Sequence, residues 1–318
     1  MKWSGKMSEM TIKGLKEGTT VAMPLLLSSV VKGVTNAGAP YLSMVFQDKT
    51  GSIDGKLWDA SEEQQQIKAG SIYFVSGEVI QYRTALQLRV HNLTIVDSDQ
   101  VELSDFVTST EIPTEELKER VYHTINSMQN EVLKEISMTL IQENETDFFE
   151  YPAASKNHHD FVGGLATHVV GMLQIGESLC TIYPEINRDL LLSGIIVHDL
   201  GKLEELSGAV LTEYTLEGKL LGHISIMQSR VNEAAIKLGY EGSEEVTLLR
   251  HMILSHHGQY EYGSPVLPMV AEAEYLAFID NLDARVNMLS KALAQIEPGN
   301  FTPRIFSLEN RSFYKPKF

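Results

Sequence analysis

His198 and Asp199 are adjacent, and each is a side chain able to bind a divalent metal. They close an apolar run that includes Leu190, Leu191, Ile195 and Val197, and Gly201 and Lys202 follow them. Neighbouring residues on a helix point about 100° apart, so the pair can serve one site only where a helix ends. Gly201 is expected to supply that end as a left-handed cap. More ligands gather around the pair: eight of the ten histidines lie between His158 and His257. His168 falls in an apolar helical pattern, His223 follows Gly222, His256-His257 closes another apolar run, and Asp280 sits in a fifth. A single histidine among apolar residues is most often a satisfied buried one. Five successive helices, each presenting His or Asp in apolar surroundings, point instead to one metal-binding centre.

Imidazole and carboxylate together suit Mn, Fe, Co, Ni or Zn better than Ca or Mg alone. With Cys180 the only cysteine, a structural zinc site built of thiolates is excluded. The chemistry such a centre supports is hydrolysis of a phosphodiester, whose negative charge otherwise repels hydroxide. One or two divalent ions neutralise that charge and lower the pKa of bound water, so no Ser or Cys nucleophile is required. Lys202, three residues beyond Asp199, either meets a phosphate oxygen or complements a helix C-terminus.

The elements that must position these groups are helical. Apolar periodicity predicts helices over 161–183, from Asn187 as N-cap to Val197, from Gly222 through Ile236, from Ser243 toward His256, and over 270–293. Before them, Pro113-Thr114-Glu115-Glu116 opens a helix whose Val121, Ile125, Met128, Val132, Ile136 and Leu140 recur at helical spacing. Residues 104–150 therefore read as a helical connector.

Residues 20–97 change character. Strands are expected over Val21–Gly33, Tyr41–Gln47, Ser52–Trp58, Ser71–Gln81 and Leu86–Val96, with Asp48-Lys49-Thr50-Gly51 as a hairpin connection. The Glu- and Gln-rich stretch Ala60–Ala69 suits a helix between the third and fourth strands. Five strands in that order form an OB-fold barrel, whose strand face commonly binds single strands. Tyr41, Phe46, Trp58, Tyr73 and Tyr82 are available to stack bases, and alternation requires about half of them to point inward. Tyr41, Phe46, Trp58 and Tyr82 are the candidate nucleic-acid contacts.

The formal charge of −16 argues against binding a polyanion. The excess lies beyond residue 103, however, because residues 1–103 carry 10 Lys+Arg against 11 Asp+Glu. The last 18 residues form a tail with Arg304, Arg311, Lys315 and Lys317 against Glu309, and Phe306, Phe313 and Tyr314 between them. It is expected either to bind or to pack its aromatics back on the body. No apolar run reaches bilayer length without a break by Ser, Gly or charge, and Met1–Met10 lacks the apolar core of a secretory signal. A cytoplasmic location, without membrane association, is the expectation.

The order His168, His198-Asp199, Asp280 resembles the H…HD…D signature of the HD superfamily of metal-dependent phosphohydrolases, an all-helical fold. Gly163-Gly164-Leu165-Ala166-Thr167-His168 and His198-Asp199-Leu200-Gly201-Lys202 carry the likeness. The resemblance implies that Asp199 bridges two metals, with His168, His198 and Asp280 on one and His223, His256 and His257 around the other. It also favours Asp280 over Asp283 as the ligand, leaving Asp283 as a supporting partner. One of His158 and His159, with His159 preferred, is expected to contact phosphate or aid the leaving 3' oxygen.

Joined to an OB-like domain, with the Asp48–Gly51 turn and Trp58-Asp59, the whole chain resembles the YhaM-type 3'-to-5' exoribonucleases. That resemblance implies manganese-favoured degradation of single-stranded RNA, and of single-stranded DNA in some members, to nucleoside 5'-monophosphates. The expected organisation is an OB-fold domain over 1–103, the connector over 104–150, an HD domain over 151–300 and the tail over 301–318. Two alternatives remain at this level: a phosphohydrolase of a small cyclic or polyphosphorylated nucleotide, and a non-catalytic nucleic-acid binding protein. Oligomeric state is open between a monomer and a homo-oligomer.

Overall fold

The computed structural model describes residues 10–35, 38–82, 85–96, 101, 105–107, 110, 112–153, 161–208 and 214–318. It contains two compact units, Met1–Ser109 and Thr110–Phe318.

Alternating side chains build the first unit. Strands β1 (Thr20–Val34), β2 (Pro40–Asp48), β3 (Gly51–Trp58), β4 (Ile72–Tyr82) and β5 (Ala85–Ile95) close a barrel in the order β1-β2-β3-β5-β4. All pairs are antiparallel except β3 with β5. Observed strand limits fall within one residue of those expected. One parity of each strand fills the barrel: Leu42, Met44 and Phe46 of β2 and Ile53 and Leu57 of β3 join Val75, Val79, Leu88 and Val90 in the core. Asp48 organises the β2–β3 turn, its Oδ1 accepting from the Thr50 and Gly51 backbone and its Oδ2 from the Ile12 N–H.

The helix expected over Ala60–Ala69 is not formed; a single 3₁₀ turn, Gln64–Gln66, stands there. Glu and Gln propensity alone cannot offset the cost of nucleating an isolated helix, and this stretch has no apolar stripe to bury.

The second unit is helical: α1 (Thr114–Asn126), α2 (Glu131–Glu143), α3 (Glu145–Glu150), α4 (Gly164–Ile182), α5 (Arg188–Val197), α6 (Lys202–Glu205), α7 (Leu216–Leu220), α8 (Gly222–Leu238), α9 (Glu244–Ser255) and α10 (Ala271–Ala294). Asn187 and Ser243 are the expected N-caps, accepting from the Leu190 and Val246 N–H groups. Helix α5 is buried from Asp189 to Val197 and forms the axis of the core. The residues expected to connect two domains contribute to that core through Leu117, Val121, Ile125, Leu133, Ile136 and Leu140. Asp189 of α5 ties them down, taking the Gln129 and Asn130 N–H groups at 2.6 and 2.8 Å.

Helix α4 is long and apolar enough, by composition, to cross a membrane. Nine of its residues are instead buried in the helical core, His168 among them. The tail folds into a small hairpin, with isolated bridges Phe301 to Tyr314 and Ile305 to Arg311. Phe301 and Tyr314 meet at a tilt with ring centroids 5.1 Å apart, Phe306 stays exposed, and Thr302 and Leu308 are the buried residues there.

Candidate metal centre

His168 projects from the first half of α4, a helix it enters through an apolar face. His198 and Asp199 follow the last residue of α5, and His256 and His257 follow the last residue of α9. His223 lies in the first turn of α8 and Asp280 in the middle of α10. Residues from five helices thereby converge. His168, His198 and Asp280 form one group, and His223, His256 and His257 a second, each group offering donor atoms within 4.8 Å of one another.

Asp199 stands between the groups. Its Oδ2 lies 3.3 Å from His198 Nε2, while its Oδ1 lies 3.5 and 3.7 Å from the Nε2 atoms of His223 and His256. His168 Nε2 is 3.2 Å from Asp280 Oδ1.

Hydrogen bonds fix which ring nitrogen faces inward. A carbonyl oxygen can only accept, so Nδ1–H of His198 donates to Ile195 O at 2.9 Å, that of His256 to Ile253 O at 2.7 Å and that of His257 to Tyr262 O at 2.8 Å. Carboxylates take the Nδ1 of the other two, Asp283 for His168 at 2.6 Å and Glu205 for His223 at 3.1 Å. In His198, His256 and His257 the carbonyl partner leaves the Nε2 lone pair toward the centre, the arrangement that outer partners impose on metal-binding histidines, whereas His168 Nε2 lies against Asp280. His198 Nε2, His223 Nε2, His256 Nε2 and Asp199 Oδ1 are buried and make no hydrogen bond within the protein. Buried polar atoms without partners are costly and rare; here they aim at one point, and their N and O donor set fits a divalent transition metal.

The electrostatics favour anionic carboxylates at Asp199 and Asp280 and neutral rings at His256 and His257. Burial pushes the Asp199 carboxyl up, but Lys202 and His198 beside it override this and hold it well below the usual range. Burial raises Asp280 as well, and its contact with His168 brings it down. His256 is lowered by burial and by the neighbouring His198 and His257, and His257 by burial and His223. His168 moves the other way: burial lowers it, yet Asp280 and Asp283 together raise it to about 9.

Lys202 opens the four-residue helix α6, and its Nζ sits 2.6 Å from Asp199 Oδ2. Gly201 is also corrected. Its φ is −60°, in the right-handed region, and no left-handed cap is present. A Cβ there would stand 2.3 Å from the His223 carbonyl oxygen, so the glycine lets the α8 backbone approach the His-Asp turn. Glu205 was not anticipated: it is buried and receives both the backbone N–H and Nδ1–H of His223. A four-residue helix carries no periodicity that would single it out. Asp283, expected as a supporting partner, contacts His168 Nδ1 at 2.6 Å. His158 and His159 lie outside the described residues.

Among the barrel aromatics, Tyr41 and Trp58 face each other across β2 and β3 with ring centroids 5.1 Å apart, and Trp58 is 50% exposed. Lys56 Nζ lies 4.7 Å over the Tyr41 ring, a cation beside an aromatic platform. Tyr82 is exposed at the end of β4, away from this pair in strand order. Phe46 is a correction: it is fully buried in the barrel because it shares the inward parity of Leu42 and Met44. Tyr73 is buried as well, with its hydroxyl on Lys68 O.

Comparison with known proteins agrees with both halves. The HD domain family matches residues 165–285, and an OB-fold nucleic acid binding domain family matches residues 27–96. A protein named 3'-5' exoribonuclease YhaM from Geobacillus sp. (strain WCH70) is 49% identical, the match covering 95% of this chain and 93% of that one. Proteins of the same name from Bacillus pumilus and Bacillus subtilis are 46% and 47% identical, covering 95% of this chain and 96% of each. Among solved structures, the second OB-fold domain of replication protein A from Methanococcus maripaludis matches with 26% identity and a TM-score of 0.24, covering 28% of this chain and 95% of that one.

Proposed function

The chain belongs to the YhaM family of 3'-5' exoribonucleases, and on that premise we propose how its residues divide the work. It is a metal-dependent hydrolase that removes nucleotides from the 3' end of RNA. Neither a small-nucleotide phosphohydrolase nor a non-catalytic binding protein is favoured by the family membership. The observation that carries the assignment of residues is the convergence of the buried, unpaired Nε2 atoms of His198, His223 and His256 on the two oxygens of the Asp199 carboxylate.

In this reading His168, His198 and Asp280 would hold one divalent ion and His223, His256 and His257 a second, with Asp199 as the ligand shared between the two groups. Ions bound there would neutralise the phosphodiester and supply a water of lowered pKa. Manganese is the preferred metal, with Fe, Co, Ni and Zn compatible with the same donors. The reaction joins a water oxygen to phosphorus and breaks the bond to the penultimate 3' oxygen, which takes a proton; nucleoside 5'-monophosphates leave. Lys202 holds Asp199 ionised and adds a positive charge where a phosphate oxygen would lie. His159 is the residue proposed to assist the leaving oxygen. In the barrel, Trp58 and Tyr41 with Lys56 would guide a single strand by stacking and charge, RNA first and DNA by the same contacts. A cytoplasmic enzyme fits the single cysteine.

Metal-loaded protein incubated with 5'-labelled single-stranded RNA should yield a ladder shortening from the 3' end. Asp199→Ala should reduce the rate by more than about 100-fold, the loss already typical of supporting residues around a metal. Asp199→Ala acting at the wild-type rate would remove Asp199 from the reaction centre.

A further inference from the structure

Beside the metal centre lies a cavity of about 440 Å³, lined by His257, Gln259, Tyr262, Glu274, Phe278 and Asn281 together with Glu261. His257 belongs to both places, as a member of the second ligand group and as one wall of the cavity. The loop that follows it also serves both: the Tyr262 carbonyl orients the His257 ring, and the Tyr262 ring lines the cavity.

Three properties of the lining define what fits. It is aromatic and open: Tyr262 is 67% and Phe278 64% exposed, large apolar areas that a protein leaves in water only at a cost. It is acidic, with Glu261 and Glu274 and no Lys or Arg among its lining residues. Arg285, which feels Tyr262 electrostatically, is committed to a bidentate pair with Glu309 at 2.7 and 3.0 Å. It also carries the amides Gln259 and Asn281. An acidic wall repels phosphate but accepts hydrogen bonds from hydroxyl and amino groups, and exposed rings stack on a base whatever its identity.

We propose that this cavity seats the 3'-terminal nucleoside of the RNA, its base against the Phe278 and Tyr262 rings and its sugar hydroxyls donating to Glu261 and Glu274. The proposal rests on the exoribonuclease reading and adds to it the residues that recognise the end. With the terminal nucleoside there, its 5' phosphate reaches past His257 to the ligand groups, and the remaining strand leaves on the far side of that phosphate. The end must then be a free hydroxyl: a 3'-phosphate would bring two negative charges against the two carboxylates, with no cation in the lining to receive them.

The test uses full-length, metal-loaded protein and one 5'-labelled RNA sequence prepared with either a 3'-hydroxyl or a 3'-phosphate. Wild type should shorten the hydroxyl-ended RNA at least about tenfold faster, because the charges of a 3'-phosphate would stand against the two carboxylates. Converting both carboxylates (Glu261→Gln with Glu274→Gln) should narrow that ratio to within about threefold, since the amides keep hydrogen bonding without the charge. Phe278→Ala should raise KM for the hydroxyl-ended RNA about tenfold or more, the loss of one base stack, while Phe278→Trp restores it and Phe278→Leu does not. Equal rates on both ends in the wild type, or an unchanged KM in Phe278→Ala, would overturn the proposal while leaving the exoribonuclease reading intact. No shortening of hydroxyl-ended RNA would overturn that reading and the proposal together.

Discussion

Replacing Gly201 by alanine tests whether the site depends on backbone contact between the His-Asp turn and α8. The added Cβ would stand 2.3 Å from the His223 carbonyl oxygen, 3.0 Å from its carbon and 3.1 Å from its Cα, where ordinary contact begins near 3.4 Å. These are backbone atoms and cannot swing aside as a side-chain tip would, so the first turn of α8 must retreat by roughly 1 Å. His223 rides on that turn, with its Nε2 set 3.5 Å from Asp199 Oδ1 and its ring held by Glu205. Misplacing a reacting group by such a distance costs on the order of 100-fold in rate. Overpacking adds about 1–3 kcal/mol of destabilisation, a fall in Tm of roughly 2–4 °C for each kcal/mol in a unit of this size. The assays are the rate on 5'-labelled RNA, metal bound per chain and thermal melting. Gly208→Ala is the control, since its Cβ would meet nothing within 4 Å. A Gly201→Ala protein that keeps metal content and rate within twofold of wild type would refute the claim that this close approach positions His223.

Trp58→Ala removes the more exposed ring of the Tyr41–Trp58 pair, and should weaken binding of long single-stranded RNA about tenfold while leaving cleavage of a dinucleotide unchanged. Equal losses on both substrates would make the ring structural. A second prediction concerns pH and the metal-free protein. Asp280 and Asp283 raise folded His168 to about 9 from an ordinary 6.5, so the folded state binds its proton more tightly than the unfolded chain. That contribution, on the order of 3 kcal/mol, is fully present below pH 6.5 and is lost as pH rises through about 9. Melting of chelator-treated protein should therefore fall over that window, and Asp283→Asn should flatten the fall; a wild-type melting temperature constant from pH 6 to about 9.5 would contradict it.

What could be read from sequence divides along physical lines. Strand limits were legible because alternation and turn residues are local signals, as at Asp48–Gly51. Phe46 was legible too, in principle: once Leu42 and Met44 are placed inside, parity sends Phe46 with them and Tyr41 outward. The absent helix at 60–69 shows propensity without burial failing to hold a structure. The proposed metal ligands stood out because His and Asp interrupt apolar helical runs. Glu205 did not, because its importance comes from α8 folding back onto α6, a long-range contact with no local trace. Gly201 was recognisable as a special position for the wrong reason: sequence marks the glycine but cannot tell a need for positive φ from a need for closeness.

The two ligand dipeptides, His198-Asp199 and His256-His257, share a geometry that explains why both follow helices. The last turn of a helix leaves carbonyl oxygens without an intrahelical partner. In each dipeptide the first histidine uses one of them, three residues back: Ile195 O for His198 and Ile253 O for His256. The bond satisfies the orphan carbonyl, fixes the ring with Nδ1 protonated and leaves Nε2 bare toward the centre. Asp199 and His257 follow directly, in the turns just beyond α5 and α9. A helix interior could supply either the carbonyl or the second ligand, but not both. The terminus of α5 thus provides a terminal ligand and the proposed bridge from consecutive residues, and α9 repeats the device with two imidazoles. This is why four of the seven proposed ligands come from two helix ends, and why a proline or glycine that moved either end by one residue would dismantle the centre without touching a ligand.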